Sequence, residues 1–216
     1  STTTSGSSLG DWHRAAKFTG IKAPSIEICC YPKSPGWIAA QSALVKNAVD
    51  GFNASLTPRV LFSAHGLPKK IIAKGDPYQW QVENTAQAVV DDMKIEGLDW
   101  TVCYQSRVGP LEWIGPSTDD EIERAGKDGV PVIVVPIAFV SEHSETLVEL
   151  DIEYKELAEE AGVPTYVRVP AVGTHSSFID TLAGLVRKAV HHDGPRMSGE
   201  GDRLCPQSCD CCAFAS

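Results

Sequence analysis

The sequence contains no Gly-x-Gly-x-x-Gly and no Gly-x4-Gly-Lys-Ser/Thr, so neither a dinucleotide nor a P-loop phosphate has its usual backbone cradle. It also lacks a long apolar run. The longest, Val130 to Val140, carries two prolines and falls well short of the roughly 20 residues a bilayer span needs. Basic residues are scarce: 19 Lys and Arg face 28 Asp and Glu, a net charge of −9, and no basic cluster stands out. Electrostatic capture of nucleic acid, or of an anionic membrane surface, is therefore not expected. No charged segment followed by an apolar stretch opens the chain. It starts Ser1-Thr2-Thr3-Thr4-Ser5-Gly6, without a Met, and the expectation is a fragment or a processed product.

What is present suits a folded α/β protein. The 216 residues are 43% hydrophobic and 22% charged, enough for one large core or two small ones. Short β-branched runs alternate with longer amphipathic ones. Strands are expected at Ser25–Tyr31, Arg59–Ser63, Trp100–Gln105, Val130–Pro136 and Thr165–Val169, and helices at Gly36–Val49, Tyr78–Lys94, Asp119–Lys127, Glu142–Ala161 and Ser177–Val190. Asp76-Pro77 and Ser117/Thr118 read as helix starts, Gly97 and Gly162 as stops. The near-continuous Val132-Ile133-Val134-Val135 suggests a sheet covered on both faces, hence a doubly wound, mainly parallel, Rossmann-like architecture. Ligands of such sheets bind beyond the carboxyl ends of the strands. The polar segments that follow strands are Ala64–Pro68, Gln105–Pro110 and Ser141–Glu145, and the site is expected where they converge.

Two patterns carry chemistry. Glu145, Glu149 and Glu153 recur every four residues, which on a helix makes one ridge drifting about 40° per step. Such a row is ordinarily a solvated face, but this one begins at Glu142 and His143, directly after the most apolar strand. Widening to a π-helix would align it further, and carboxylates leading to a histidine suit a divalent cation. The second pattern is cysteine. Of seven, Cys29, Cys30 and Cys103 lie in apolar, strand-like stretches and read as small buried hydrophobes. Cys205, Cys209, Cys211 and Cys212 crowd the last twelve residues, behind a Gly/Pro/Ser/Asp-rich segment with no hydrophobic period. That tail is expected to have no core of its own. Its four thiolates fit zinc or an iron–sulfur cluster. A zinc deaminase is excluded by order and spacing: the proline follows the first tail cysteine and three residues separate that pair.

Three segments in the same order, Leu61–Pro68 (Leu-Phe-Ser-Ala-His-Gly-Leu-Pro), Gln105–Pro116 (Gln-Ser-Arg-Val-Gly-Pro-Leu-Glu-Trp-Ile-Gly-Pro) and Pro136–Leu147 (Pro-Ile-Ala-Phe-Val-Ser-Glu-His-Ser-Glu-Thr-Leu), closely resemble ferrochelatase. The resemblance runs from Ser1 to about Val190. It implies a chelatase-like fold and a lyase-type activity, insertion of Fe²⁺ into protoporphyrin IX as the last step of heme biosynthesis, between two similar α/β domains. His65 then matches the active-site histidine and proton acceptor, and Glu145, with His143, the acidic group across the porphyrin. Glu142 and Trp113 match substrate-binding positions, and Glu149 and Glu153 the acidic path for iron, with His65 and Glu145 at its end. Because such members carry a whole preceding domain, residues 1–35 read as a lead-in from a missing N-terminal domain, 36–192 as the α/β domain, and 193–216 as the cysteine-rich tail. The tail resembles that of members with a 2Fe-2S cluster. Cys205, Cys209, Cys211 and Cys212 are the inferred ligands, with Cys30 or Cys103 able to replace one, since Cys211 and Cys212 are adjacent. A cytoplasmic location is expected; peripheral membrane contact and a homodimer stay open. Two other readings also stay open: a chelatase for coproporphyrin or sirohydrochlorin, and a non-enzymatic iron–sulfur or metal-binding domain.

Overall fold

The computed structural model describes residues 1–52 and 57–214. A π-helical turn at Thr2–Gly6 runs into α1 (Ser7–Thr19). There follow β1 (Glu27–Ile28), α2 (Pro35–Asp50), β2 (Arg59–His65), α3 (Lys69–Ala73), α4 (Tyr78–Met93), β3 (Trp100–Gln105), α5 (Thr118–Asp128) and β4 (Val132–Pro136). A π-helix at Glu145–Glu153 then continues as α6 (Tyr154–Glu160), before β5 (Tyr166–Arg168), α7 (Ser176–Val190) and β6 (Arg196–Met197).

The main sheet is parallel, in the order β3-β2-β4-β5. Successive strand residues face opposite layers. In β4, Ile133 and Val135 join Phe62, Tyr104 and side chains of α2, α4 and α7 on one side. Val132 and Val134 join Leu61, Cys103, Ile122 of α5, Leu150 of the π-helix and Ala158 of α6 on the other. Two apolar faces explain the unbroken apolar strand, and the doubly wound parallel architecture read from sequence is the one observed. Gly126 permits close packing of α5 on the end of α6, since a Cβ there would lie 2.1 Å from the Ala161 carbonyl oxygen.

The chain enters the main sheet at β2, steps outward to β3, then returns past β2 to β4. The direction of winding reverses between β2 and β4, which opens a crevice at their carboxyl ends. His65 closes β2, and the segment Ile137–Ser144 leads from β4 to the π-helix.

Several expectations are corrected. Ser25–Tyr31 contributes only Glu27–Ile28, and these pair with Arg196–Met197 of the tail instead of joining the main sheet. The tail does have a core: Cys205, Cys209 and Cys212 are buried together against Trp80 and Phe214. The helix expected to begin at Glu142 begins at Glu145 and is π-helical through Glu153. The helices at Thr2–Thr19 and Lys69–Ala73 gave no periodic signal, and the structure shows why: neither buries a side chain. Asp76 accepts the Tyr78 backbone N–H at 2.9 Å, so the Asp-Pro start of α4 holds.

Candidate active site

The crevice brings together side chains from the end of β2, the segment after β4, α4, the π-helix and the first turn of the chain. His65 Nδ1 lies 2.9 Å from Glu145 Oε2. A carboxylate can only accept, so the proton of this pair sits on Nδ1, and Nε2 is the ring nitrogen left to face the cavity's contents. Among the described residues Nε2 has no partner. His65 and Glu145 border a cavity of about 420 Å³ that is also lined by Leu67, Tyr78, Ala138 and Phe139. The Tyr78 hydroxyl donates to the His65 backbone carbonyl at 3.0 Å and so fixes the strand end. Burial, together with the charge of Glu145, raises the Tyr78 pKa beyond its ordinary value, so that hydroxyl stays a donor. Tyr78 was not singled out from sequence, although Asp76-Pro77 placed it at a helix start beside the site.

His143 does not pair with the Glu145 carboxylate, which corrects the expected arrangement. Its Nδ1 accepts the Glu145 backbone N–H at 3.1 Å, and its ring meets Phe139 edge-on with centroids 4.7 Å apart. It thus terminates the helix while Glu145 reaches across to β2. Trp113 sits on the neighbouring loop, bridged by backbone to Pro68 and against Gly66, where a Cβ would contact its ring at 3.4 Å. Glu142 turns to the other side: Oε1 accepts from Arg168 Nη1 at 2.6 Å and from the Ala171 amide at 2.8 Å. Burial pushes its carboxyl up, but bonds to Thr146, Arg168 and Ala171 outweigh that and hold it below the usual range.

The three ridge glutamates have three different surroundings. Glu145 holds His65. Glu149 accepts four bonds: Ser106 N at 2.7 Å and Tyr154 Oη at 3.2 Å on one oxygen, Gln105 Nε2 at 2.9 Å and Ser106 Oγ at 2.6 Å on the other. Ser106 is held there at φ 57°, a left-handed conformation. Glu153 is exposed and has no partner among the described residues. An apolar margin lies on the same elements: Val108 and Leu111 on the loop after β3, Val140 after β4, and Leu147, Val148 and Ile152 on the π-helix are all exposed.

The tail forms a separate centre. Cys205, Cys209 and Cys212 converge, and Cys211 stands outside them, exposed, with its Sγ 3.0 Å from the Lys74 carbonyl oxygen. Burial, with Cys212 close by, pushes the Cys205 thiol up to about 12. Cys30 is near enough to feel Cys205 and Cys212; a bond from Cys29, then burial, then those charges raise its pKa. Cys103 is fully buried in the main sheet, bonded to Thr118. Among the described residues, no three His, Cys, Asp or Glu side chains adopt a ligating arrangement for a metal ion.

The family model described as Ferrochelatase matches residues 1–190. A protein named Ferrochelatase from Caulobacter vibrioides (strain NA1000 / CB15N) is 54% identical over 190 residues, 88% of this chain and 54% of that protein. Those of Phenylobacterium zucineum (strain HLK1), 49% identical over 213 residues, and Rickettsia bellii (strain OSU 85-389), 48% identical over 220, are aligned across the tail as well. Each of these two has 60% of its length covered. Among solved structures, SirB from Bacillus subtilis with Fe3+ aligns over 73% of this chain and 54% of that chain, at 16% identity and a TM-score of 0.49. With the family model matching from Ser1 through α7, and with relatives about one half identical over 88% or more of its length, this chain belongs to the ferrochelatase family, and it spans about 54–60% of the length of these relatives.

Proposed function

We propose that this chain forms one wall of a metal chelatase that inserts ferrous iron into protoporphyrin IX. The carrying observation is the His65–Glu145 pair, 2.9 Å apart, at the switch point of a parallel sheet and on the border of an open cavity. Metallation removes two pyrrole N–H protons while a hydrated cation sheds water. With Nδ1 engaged by Glu145, the free Nε2 is the acceptor for a pyrrole proton, and Glu145 stabilises the imidazolium that results. Both groups are partly exposed, at 42% and 36% for the side chains, so a proton taken up can pass to water.

The apolar margin suits the face of a macrocycle, and Trp113, half-buried against Gly66, lies on the same loop as its Leu111. Facing surface from the part of the relatives outside this chain completes the cleft. Glu153, exposed and unengaged, suits passage of iron; Glu149, with both oxygens occupied, is reassigned to holding the loop after β3. His143 positions Glu145 through its backbone. No helix among the described residues is long and apolar enough to cross a membrane. Imidazole and carboxylate discriminate weakly among late first-row divalent metals, so zinc and cobalt are expected to be inserted as well.

For the tail we propose a 2Fe-2S cluster held by Cys30, Cys205, Cys209 and Cys212. A set of four sulfur donors is the one such clusters require; Cys205, Cys209 and Cys212 share a buried core without standing in a ligating arrangement, so binding would draw them together. Cys30 replaces Cys211, whose side chain points to the Lys74 carbonyl. When bound, the cluster contributes an electron-accepting centre and ties the tail to the β1 segment.

The test is His65→Ala in the full-length protein, with metallation followed anaerobically against porphyrin and metal separately. A loss of at least about 10²-fold with porphyrin binding retained supports the base assignment. Near-normal turnover refutes it. A panel of tetrapyrroles run alongside reads the substrate, and preference for another macrocycle would overturn the protoporphyrin assignment.

A further inference from the structure

A π-helix makes poorer use of its backbone than an α-helix and survives where something else holds it. Here the holding groups come from β5. Tyr166 and Arg168 are two residues apart and so project from the same face of the strand. The Tyr166 hydroxyl donates to the Leu150 carbonyl at 2.6 Å. Arg168 makes a two-pronged pair with Asp151, Nε to Oδ1 at 2.7 Å and Nη2 to Oδ2 at 2.6 Å, while Nη1 reaches Glu142 Oε1 at 2.6 Å. One guanidinium therefore grips the chain three residues before the π-helix and again within its last turn. Its side chain is only 11% exposed. Between the two grips lies Glu145, whose reach to His65 depends on where the helix starts and how it is wound.

We propose that Arg168 is a positioning residue for the reaction: by bracing Glu142 and Asp151 together it fixes the π-helical register that brings the Glu145 carboxylate to His65. The geometry of the fork matters, because a lysine ammonium cannot make the two-pronged bond and the third contact together. The inference rests on the functional reading of His65 and Glu145 given above, and its test separates the two.

In the full-length protein, Arg168→Met, Arg168→Lys, Glu145→Gln and the double variant Arg168→Met/Glu145→Gln are compared by steady-state metallation and by amide hydrogen exchange over residues 143–153. Arg168→Met is expected to lower kcat at least about tenfold, the change matching loss of one charge-assisted hydrogen bond, with porphyrin KM within about twofold. Arg168→Lys should recover only part of this. Because Arg168 acts through Glu145, the double variant should match Glu145→Gln within about twofold, and exchange should quicken over the π-helix and not over β4. Losses that multiply in the double variant would overturn the proposal, as would an Arg168→Met protein with wild-type kcat and unchanged exchange. Should Glu145→Gln keep normal turnover, the site reading fails instead, and exchange alone then decides whether Arg168 braces the helix. If Arg168→Met does not fold, Tyr166→Phe removes one bond from the same brace and should shift exchange and kcat in the same direction by less.

Discussion

Replacing Glu149 by Gln tests whether this carboxylate serves the metal or the frame. All four groups that bond it are donors: Ser106 N–H, Ser106 O–H, the Gln105 amide and the Tyr154 hydroxyl. A glutamine offers one oxygen and one NH2, so whichever way it is turned two donors face a donor. Each lost bond to a charged acceptor is worth about 1.5–3 kcal/mol. Partial exposure of the site and rotation of the two hydroxyls discount the sum to about 3 kcal/mol for local opening. The Ser106 amide is a direct reporter, being 2.7 Å from the carboxylate. Its hydrogen exchange is expected to accelerate about 10²-fold, while amides in the centre of β4 keep their protection. Glu153→Gln, at an exposed position without a partner among the described residues, should leave Ser106 unchanged. An unaltered Ser106 amide in Glu149→Gln would refute the frame assignment, and a selective rise in the metal requirement with that amide intact would return Glu149 to the iron path.

The sheet was legible in the sequence because its strands are apolar on both faces. Val132–Pro136 and, within the expected strand Arg59–Ser63, the run Val60–Phe62 stand out as short apolar stretches, and their polar followers mark the carboxyl ends. Winding order was not legible, since nothing in a strand's composition says which neighbour it takes; the reversal between β2 and β4 comes from packing. The β1 strand was misassigned for a related reason. Glu27–Ile28 pairs with the distant Arg196–Met197, and pairing across 169 residues leaves no local trace. The helices at Thr2–Thr19 and Lys69–Ala73 escaped notice because they bury nothing, so no face of either needs to be apolar.

At the crevice, the meeting of His65 and Glu145 was legible through position: His65 ends β2, and Glu145 opens the helix that the segment Ile137–Ser144 joins to β4. The direction of their side chains was not. The spacing of the ridge suggests three equivalent carboxylates, yet each meets a different neighbour along the helix: His65 at Glu145, the loop after β3 at Glu149, and solvent at Glu153. His143 shows the same limit. A histidine two residues from a glutamate reads as a side-chain partner, and instead its ring accepts that residue's backbone N–H. The tail thiols were legible as a group, and the odd one out, Cys211, follows from adjacency, since two neighbouring side chains cannot both point inward.

Four more outcomes are expected. Deleting Leu204–Ser216 should remove the thiolate-ligated iron–sulfur absorption band of reconstituted protein and expose Trp80, seen as a red-shifted fluorescence; Cys211→Ser should keep the band and Cys30→Ser lose it, and the reverse would restore the tail-only ligand set. Leu150→Ala, at a fully buried position between the sheet and the π-helix, should cost about 2–5 kcal/mol in denaturant unfolding, and a cost below 1 kcal/mol would mean that the helix is not seated there. Gly126→Ala should also destabilise despite its better helix propensity, because the new methyl meets the Ala161 carbonyl; a rise in Tm would contradict that close approach. The last concerns pH. The folded Glu142 carboxyl titrates below its ordinary value of 4.5 because its bonds to Thr146, Arg168 and Ala171 outweigh its burial. A depressed acid stabilises the fold above its unfolded pKa and stops doing so as pH falls through the folded one. The Ala171 amide, which donates to that carboxylate, should therefore keep its chemical shift from neutrality to pH 5 and move only below the ordinary value. As Glu142 is protonated, Arg168 retains Asp151 alone, so protection in the first turn of the π-helix should weaken before that in the last. A midpoint at or above 4.5 at Ala171, or simultaneous loss along the whole helix, would show that Glu142 is not one of the two grips.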